Sequence, residues 1–233
     1  MSELHAVLFD MDGTLVDSEP LWGQALFELA ERLGGTLSEQ ARAATVGTAL
    51  STSIATVHAD LGLTRPALVE ADGAWVEDRV AQSLGAGVRW RPGARELLTA
   101  VAAAGLPTAL VTTTARRLTD LVLAAMARDL GGLPFDVTVC GDEVPARKPD
   151  PAPYRQAAHE LGVDLGRCVV LEDSVVGVAS GLAAGATVIG LPGLQPIPPA
   201  PGLVLRTSLV GLQVSDLTDL VSRPRSPWSA RSR

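Results

Sequence analysis

Five short runs of the chain, His5–Asp10, Pro107–Thr112, Asp136–Cys140, Cys168–Asp173 and Ala186–Leu191, are almost continuously apolar and rich in β-branched residues. A strand with one wet face alternates polar and apolar residues, whereas a strand buried on both faces does not, so these runs read as strands of a parallel sheet. Helical patterns separate them: Gly93–Ala104, Ala115–Leu130, Pro151–Leu161 and Val175–Ala184, with Gly105, Gly162 and Gly185 where such helices stop. The alternation predicts an α/β fold built on a doubly wound parallel sheet. A last short strand is expected near Leu203–Leu205, after the Pro-rich loop Pro192–Pro201.

The rhythm breaks once. Between the first strand and the helix at Gly93 lie about 80 residues, far more than the ~2–6 of an ordinary connection in such a sheet. The intervening segment is helical in pattern: Pro20–Leu33, with Ser18 as N-cap and Pro20 in the first turn, then Ser38–Val46, Thr52–Leu61 and Pro66–Leu84. The expected organisation is an α/β core from residues 1–15 and 90–222, with residues 16–89 inserted as a helical cap domain. Such a cap is expected over the carboxyl ends of the strands, where sheets of this kind bind ligands, closing around a small substrate. Residues 223–233, with four Arg, two Pro and three Ser, read as an unstructured tail.

Composition narrows the function classes. With 47% hydrophobic and 19% charged residues the chain can bury a core, and its net charge of −7 offers no basic surface for a nucleic-acid backbone. No uninterrupted apolar stretch of about 18 residues exists to span a bilayer. The first ten residues lack the basic start and long apolar run of a secretory signal, so a cytoplasmic location is expected. Cys140 and Cys168 read as small apolar residues in a reducing compartment.

Chemistry gathers at the strand ends. The first strand stops in Asp10-Met11-Asp12-Gly13-Thr14 and the fourth in Glu172-Asp173-Ser174. An Asp-Gly turn and an Asp cap on the following helix would each account for one of these pairs. In parallel sheets the first and fourth strands are commonly neighbours, which would bring four carboxyl groups together. Such a cluster repels itself unless a cation or proton intervenes, and hard oxygen ligands at this density suit Mg²⁺. The second strand ends in Thr112-Thr113-Thr114 before a helix, where hydroxyls and free N–H groups can hold a phosphate; a Thr N-cap is the plainer reading. Of the 19 basic residues 18 are Arg and one is Lys148, in the loop Arg147-Lys148-Pro149-Asp150-Pro151. A Lys held there can neutralise a carboxylate and a phosphate oxygen together. His5, His58 and His159 lie outside all these stretches, and no zinc site is expected.

Taken in order, Asp-x-Asp-Gly-Thr, the Thr after strand two, Lys-Pro, and Glu-Asp-Ser after strand four resemble the haloacid dehalogenase-like phosphatase superfamily. The likeness runs from about Ala6 to Leu191. Leu15-Val16-Asp17-Ser18-Glu19-Pro20-Leu21-Trp22 and the re-entry at Pro92-Gly93 resemble its beta-phosphoglucomutase-like subgroup, whose core is Rossmann-like with a helical cap. The resemblance implies that Asp10 is a nucleophile forming an aspartyl-phosphate and Asp12 the general acid and base. It implies that Asp10, the Asp12 carbonyl and Asp173 hold Mg²⁺, with Glu172 acting through a bound water. Thr112, the Thr113 N–H and Lys148 would serve the phosphoryl group, and Glu19 and Trp22 the substrate.

Departures are few. Arg147 stands where the family often has a small residue, and Thr replaces the frequent Ser. Trp22 and Leu50 stand where beta-phosphoglucomutase has a His and an Arg, which favours a plain phosphatase over a phosphomutase. A receiver-like signalling domain shares the acids, Thr and Lys, but Asp12 and the inserted cap argue for turnover instead. The expected partner is a small phosphorylated metabolite, a sugar or polyol phosphate, acted on by a monomer without nucleic acid or membrane.

Overall fold

The computed structural model describes residues 4–84, 87–133, 135–193 and 195–222. The expectation for the tail, 223–233, lies outside them. Contacts divide the described chain into two compact units, one of the residues up to Asp17 together with those from Arg89 onward, the other Ser18–Val88.

The first unit is built on a six-stranded sheet. Its strands are β1 (Ala6–Phe9), β2 (Thr108–Val111), β3 (Val137–Val139), β4 (Cys168–Glu172), β5 (Thr187–Gly190) and β6 (Leu203–Leu205). Their order is β3-β2-β1-β4-β5-β6 and each neighbouring pair is parallel. This is the doubly wound α/β sheet expected, with the chain starting in the middle and winding outward to both sides. The first and fourth strands are neighbours: Phe9 pairs with Leu171, and the Asp10 N–H continues the ladder to the Leu171 carbonyl at 3.0 Å. The acid-bearing ends of both strands therefore leave the sheet side by side.

Burial explains the composition of the strands. All residues of β1, β2, β4 and β5 are buried, so neither face demands polar side chains. Ala6, Leu8, Ala109, Val111, Cys168, Val170 and Val188 share one core with Tyr154, Ala157 and Val178. The last three come from α7 (Ala152–Leu161) and α8 (Val175–Ala184). The alternate residues Val7, Phe9, Leu110, Leu171 and Ile189 are equally buried, on the other face by the two-residue period of a strand.

The remaining helices of this unit are α5 (Ala94–Ala103), α6 (Arg116–Leu130) and α9 (Val214–Ser222). Left-handed glycines end three helices of the unit: Gly131 after α6, Gly162 after α7 and Gly185 after α8.

The second unit is helical: α1 (Glu19–Arg32), α2 (Glu39–Thr45), α3 (Leu50–Asp60) and α4 (Val69–Leu84). Two details differ from the sequence reading, at Ser18 and at Pro66. Ser18 occupies the N-cap position of α1 but is itself helical in backbone and makes no side-chain cap bond; a helical backbone there turns the side chain away from the N–H groups a cap serves. Ser38 does cap α2, its Oγ accepting from the Ala41 N–H at 3.1 Å. Pro66–Leu68 forms a separate 3₁₀ turn before α4, a start that suits a residue with no N–H. The hydrophobic seam includes Leu26, Leu29, Ile54, Val57, Val76 and Val80.

The segments linking the units pair with each other. The Asp17 N–H donates to the Arg89 carbonyl and the Arg91 N–H to the Leu15 carbonyl, both at 2.8 Å, and the Arg89 guanidinium lies 3.4 Å from the Asp17 carboxylate.

Candidate active site

Asp10 is the first residue past β1, and it is buried. Its Oδ1 accepts a hydrogen bond from Lys148 Nζ at 2.8 Å. Its Oδ2 is buried with no hydrogen-bond partner among the described residues. An ionised oxygen left in that state is expensive unless something absent from the polypeptide meets it.

Lys148 reaches the same point from the loop before α7. Its ammonium donates to Asp10 Oδ1, to the Val111 carbonyl at 2.8 Å and to Glu172 Oε1 at 2.6 Å. All three protons are thereby used on protein oxygens, so Lys148 meets a further anion as a positive charge rather than with a spare N–H. Burial works against its charge, but the charges of Asp10 and Glu172 and the hydrogen bonds to both outweigh that and push its pKa above the usual lysine value. The ammonium also lies 5.1 Å from the centre of the Tyr154 ring.

Glu172, the last residue of β4, is fully buried. Besides Lys148 it accepts from the Tyr154 hydroxyl at 2.7 Å and from Ser174 Oγ at 3.2 Å. A side chain on Gly177 would overlap the Glu172 carboxylate, so the first turn of α8 must be bare for the acid to fit. Asp173 does not cap that helix: Ser174 does, its Oγ accepting from the Gly177 N–H at 3.0 Å. Asp173 instead approaches Gly13, where a Cβ would strike its carboxylate, and Gly13 is held at φ +81°. Both the left-handed backbone and the close approach require glycine after Asp12.

One oxygen each of Asp10, Glu172 and Asp173 can lie within 4.8 Å of one another. Two buried acids, Asp10 and Glu172, share the Lys148 ammonium, with the half-buried Asp173 beside them, and the electrostatics follow. Burial first, then the charge of Glu172, push Asp10 up to about 7 despite Lys148. Burial, then the charges of Asp10 and Glu172, push Asp173 up to about 9. The cluster has less positive charge than it needs, and the orphaned Asp10 Oδ2 stands within it. Hard, anionic oxygens in that number fit Mg²⁺.

The third side of the site is the turn after β2. Thr112 is buried; its Oγ1 accepts from the Thr114 N–H at 3.1 Å. Thr113 is exposed at the same turn. Asp12 is half-buried, and its Oδ2 accepts from Thr114 Oγ1 at 2.7 Å. A turn that begins with Cys140 and Gly141 backs this loop: the Gly141 N–H donates to the Thr114 carbonyl at 3.0 Å, and a Cβ on Gly141 would collide with the Thr113 carbonyl. Arg116, first residue of α6, locks that turn by a two-pronged contact with Glu143 at 2.7 and 2.6 Å.

Asp10, Lys148, Glu172 and Asp173 are thus joined through direct bonds or the shared acidic cluster, and Asp12 and Thr112 are tied to each other through Thr114. Glu19 and Trp22 belong to the helical unit, where Glu19 pairs with Arg42 at 2.6 Å and Trp22 is half-buried in α1. His58 pairs with Asp72 in the same unit, and His5 accepts from the Asp164 N–H at 3.4 Å. Sequence reasoning missed two contributors. Thr114 stood in view within the Thr run, whereas Tyr154 looked like any apolar-face residue of a helix.

Over residues 4–185 the chain matches the family of haloacid dehalogenase-like hydrolases, and it belongs to that family. It is 32% identical over 195 residues to Protein CbbY of Rhodobacter capsulatus, covering 82% of this chain and 86% of that one. It is 30% identical over 228 residues to hexitol phosphatase B of Escherichia coli strain K12, covering 95% and 96%. Among solved structures it is similar to CbbY from Rhodobacter sphaeroides in complex with phosphate, with a TM-score of 0.76, 28% identity and coverage of 92% of this chain and 99% of that one.

Proposed function

We propose that the protein is a Mg²⁺-dependent phosphatase that hydrolyses a small phosphate monoester, of the sugar or polyol class, through a phosphoryl group carried on Asp10. The observation that carries this reading is the state of Asp10: one oxygen is tied to Lys148 and the other is buried without a partner. That is a nucleophile held in orientation with its attacking atom unspent. The similarity to hexitol phosphatase B supports the polyol class of substrate.

In the first step an Asp10 oxygen attacks phosphorus, the bond from phosphorus to the ester oxygen breaks, and Asp12 gives its proton to the departing alcohol. In the second, the Asp12 carboxylate takes a proton from water as that water attacks phosphorus. The Asp10–phosphorus bond breaks and inorganic phosphate leaves. Lys148 keeps Asp10 turned toward the phosphorus and offsets its charge. The Thr112 hydroxyl and the Thr113 N–H, at the entrance to α6, hold phosphoryl oxygens. Asp10 and Asp173, with the Asp12 carbonyl, would hold the Mg²⁺, and Glu172 adds charge behind them. When bound, the ion supplies positive charge to the phosphoryl oxygens, on which the transition-state charge is spread.

The test is phosphate release from a panel of phosphorylated metabolites by the purified protein with Mg²⁺. The expected result is turnover of a sugar or polyol monophosphate to phosphate and free alcohol, with no isomeric phosphate formed, and its loss in Asp10→Asn. Formation of an isomer would convert the reading to a phosphomutase; full activity of Asp10→Asn would remove Asp10 as nucleophile.

A further inference from the structure

Asp12 has to hand over a proton and take one back within a single turnover, and proton transfer depends steeply on where the carboxyl group points. We infer that Thr114 is the positioning residue that sets this direction, an assignment that rests on the proposed role of Asp12. Thr114 Oγ1 donates to Asp12 Oδ2 at 2.7 Å, across 102 positions of sequence.

The Thr114 hydroxyl could have served the helix it precedes, but it does not. The N-cap of α6 is Ala115, with no side-chain cap, so the one hydroxyl nearest that helix end is turned across the site to the acid. Its own position is rigid. The Thr114 N–H is bonded to Thr112 Oγ1, and the Thr114 carbonyl accepts from the Gly141 N–H at 3.0 Å and from Thr119 Oγ1 at 3.5 Å. The Asp12 backbone is fixed from the other side, by a bridge to Val16. The bond is short and joins two anchored residues, so it restrains the direction of the Asp12 carboxyl group. A hydroxyl suits the task because it can donate to the carboxylate and accept from the acid as the proton comes and goes. The loop that meets the phosphoryl group therefore also aims the residue that protonates the leaving group.

The experiment compares Thr114→Val, which keeps the shape and loses the hydroxyl, with Thr114→Ser, which keeps the hydroxyl. Rates are measured on a polyol phosphate that the wild type hydrolyses and on para-nitrophenyl phosphate, whose leaving group needs little protonation. The expected result for Thr114→Val is a loss in kcat of about tenfold on the polyol phosphate with KM changed less than about twofold. A smaller loss is expected in the nitrophenol burst, and near wild-type rates in Thr114→Ser. In an Asp12→Asn background Thr114→Val should add nothing, because the partner it positions is gone. Equal losses on both substrates, the same loss in the Asp12→Asn background, no loss at all, or a faster enzyme would each overturn the assignment, the last by showing that Thr114 holds Asp12 away from its work. A wild type that releases no phosphate from either substrate would instead sink the proposed function, so the two failures are distinguishable.

Discussion

The two units treat buried charge in opposite ways. In the helical unit the buried and half-buried carboxylates have partners: Asp72 is hydrogen-bonded with His58 at 2.8 Å, Glu19 pairs with Arg42 at 2.6 Å and Glu28 with Arg79 at 2.5 Å. In the α/β unit Asp10, Glu172 and Asp173 crowd around Lys148, and Asp10 Oδ2 has no partner among the described residues. Pairing is what a fold needs, because an unpaired buried charge costs several kcal/mol. An excess of one sign, kept at the buried end of the sheet, makes physical sense only where a ligand of opposite charge belongs. Under the proposed function, the contrast separates polar groups that hold the structure from polar groups that would serve the reaction.

Substitutions can break this contrast at either end. The largest effect is expected for Asp10→Asn, which should lower kcat by about three orders of magnitude or more in a phosphate-release assay and should not lower the melting temperature, since it relieves repulsion. Lys148→Met should do harm twice over. It leaves buried acids uncompensated, a loss of about 3–5 kcal/mol in denaturant unfolding, and it frees Asp10 to turn. If Lys148→Met were as stable as the wild type, the charge imbalance described here would be wrong.

Acidity gives the third effect. Asp10 and Asp173 are raised to about 7 and about 9 from an ordinary 3.8. Between those limits the folded protein without metal binds more protons than the unfolded chain, so its stability falls as pH rises through the window. Mg²⁺ held by the same acids, as proposed, would oppose that fall. The rise in melting temperature on adding Mg²⁺ should therefore grow from about pH 5 to about pH 9, and a pH-independent rise would place the ion elsewhere. Smaller and purely structural effects belong to the helical unit. His58→Ala removes a buried partner from Asp72 and should cost about 2 kcal/mol while kcat stays within about twofold of the wild type. Ser38→Ala, which loses the α2 cap, should cost about 1 kcal/mol.

Legibility from sequence followed the same division. The sheet was readable because a parallel strand buried on both faces leaves an unbroken apolar run, as in Ala6–Phe9 and in β4 up to Leu171. Asp10, Asp12 and Asp173 stood out because charge at the end of such a run is costly without a use, and Lys148 because it is the one lysine in the sequence. Gly13 carried its signal through the Asp-Gly pair; Gly177 and Gly141 did not, because close approach to a distant residue leaves no trace in local pattern. Tyr154 was hidden for a similar reason. Its ring packs in the core and only its hydroxyl turns to Glu172, so periodicity records the ring and is blind to the oxygen. Ser18 misled in the other direction: its type suits an N-cap, but the backbone there is already helical.

The most direct test of the central claim is to catch the phosphoryl group on the protein. Asp12→Asn should still accept a phosphoryl group from para-nitrophenyl phosphate, whose departure needs little help, but should lack the base that removes it. Rapid acid quench followed by peptide mass spectrometry is expected to find one phosphoryl group per chain on the β1-derived peptide, at Asp10. Steady release of phosphate with no adduct, or an adduct on any other residue, would contradict it.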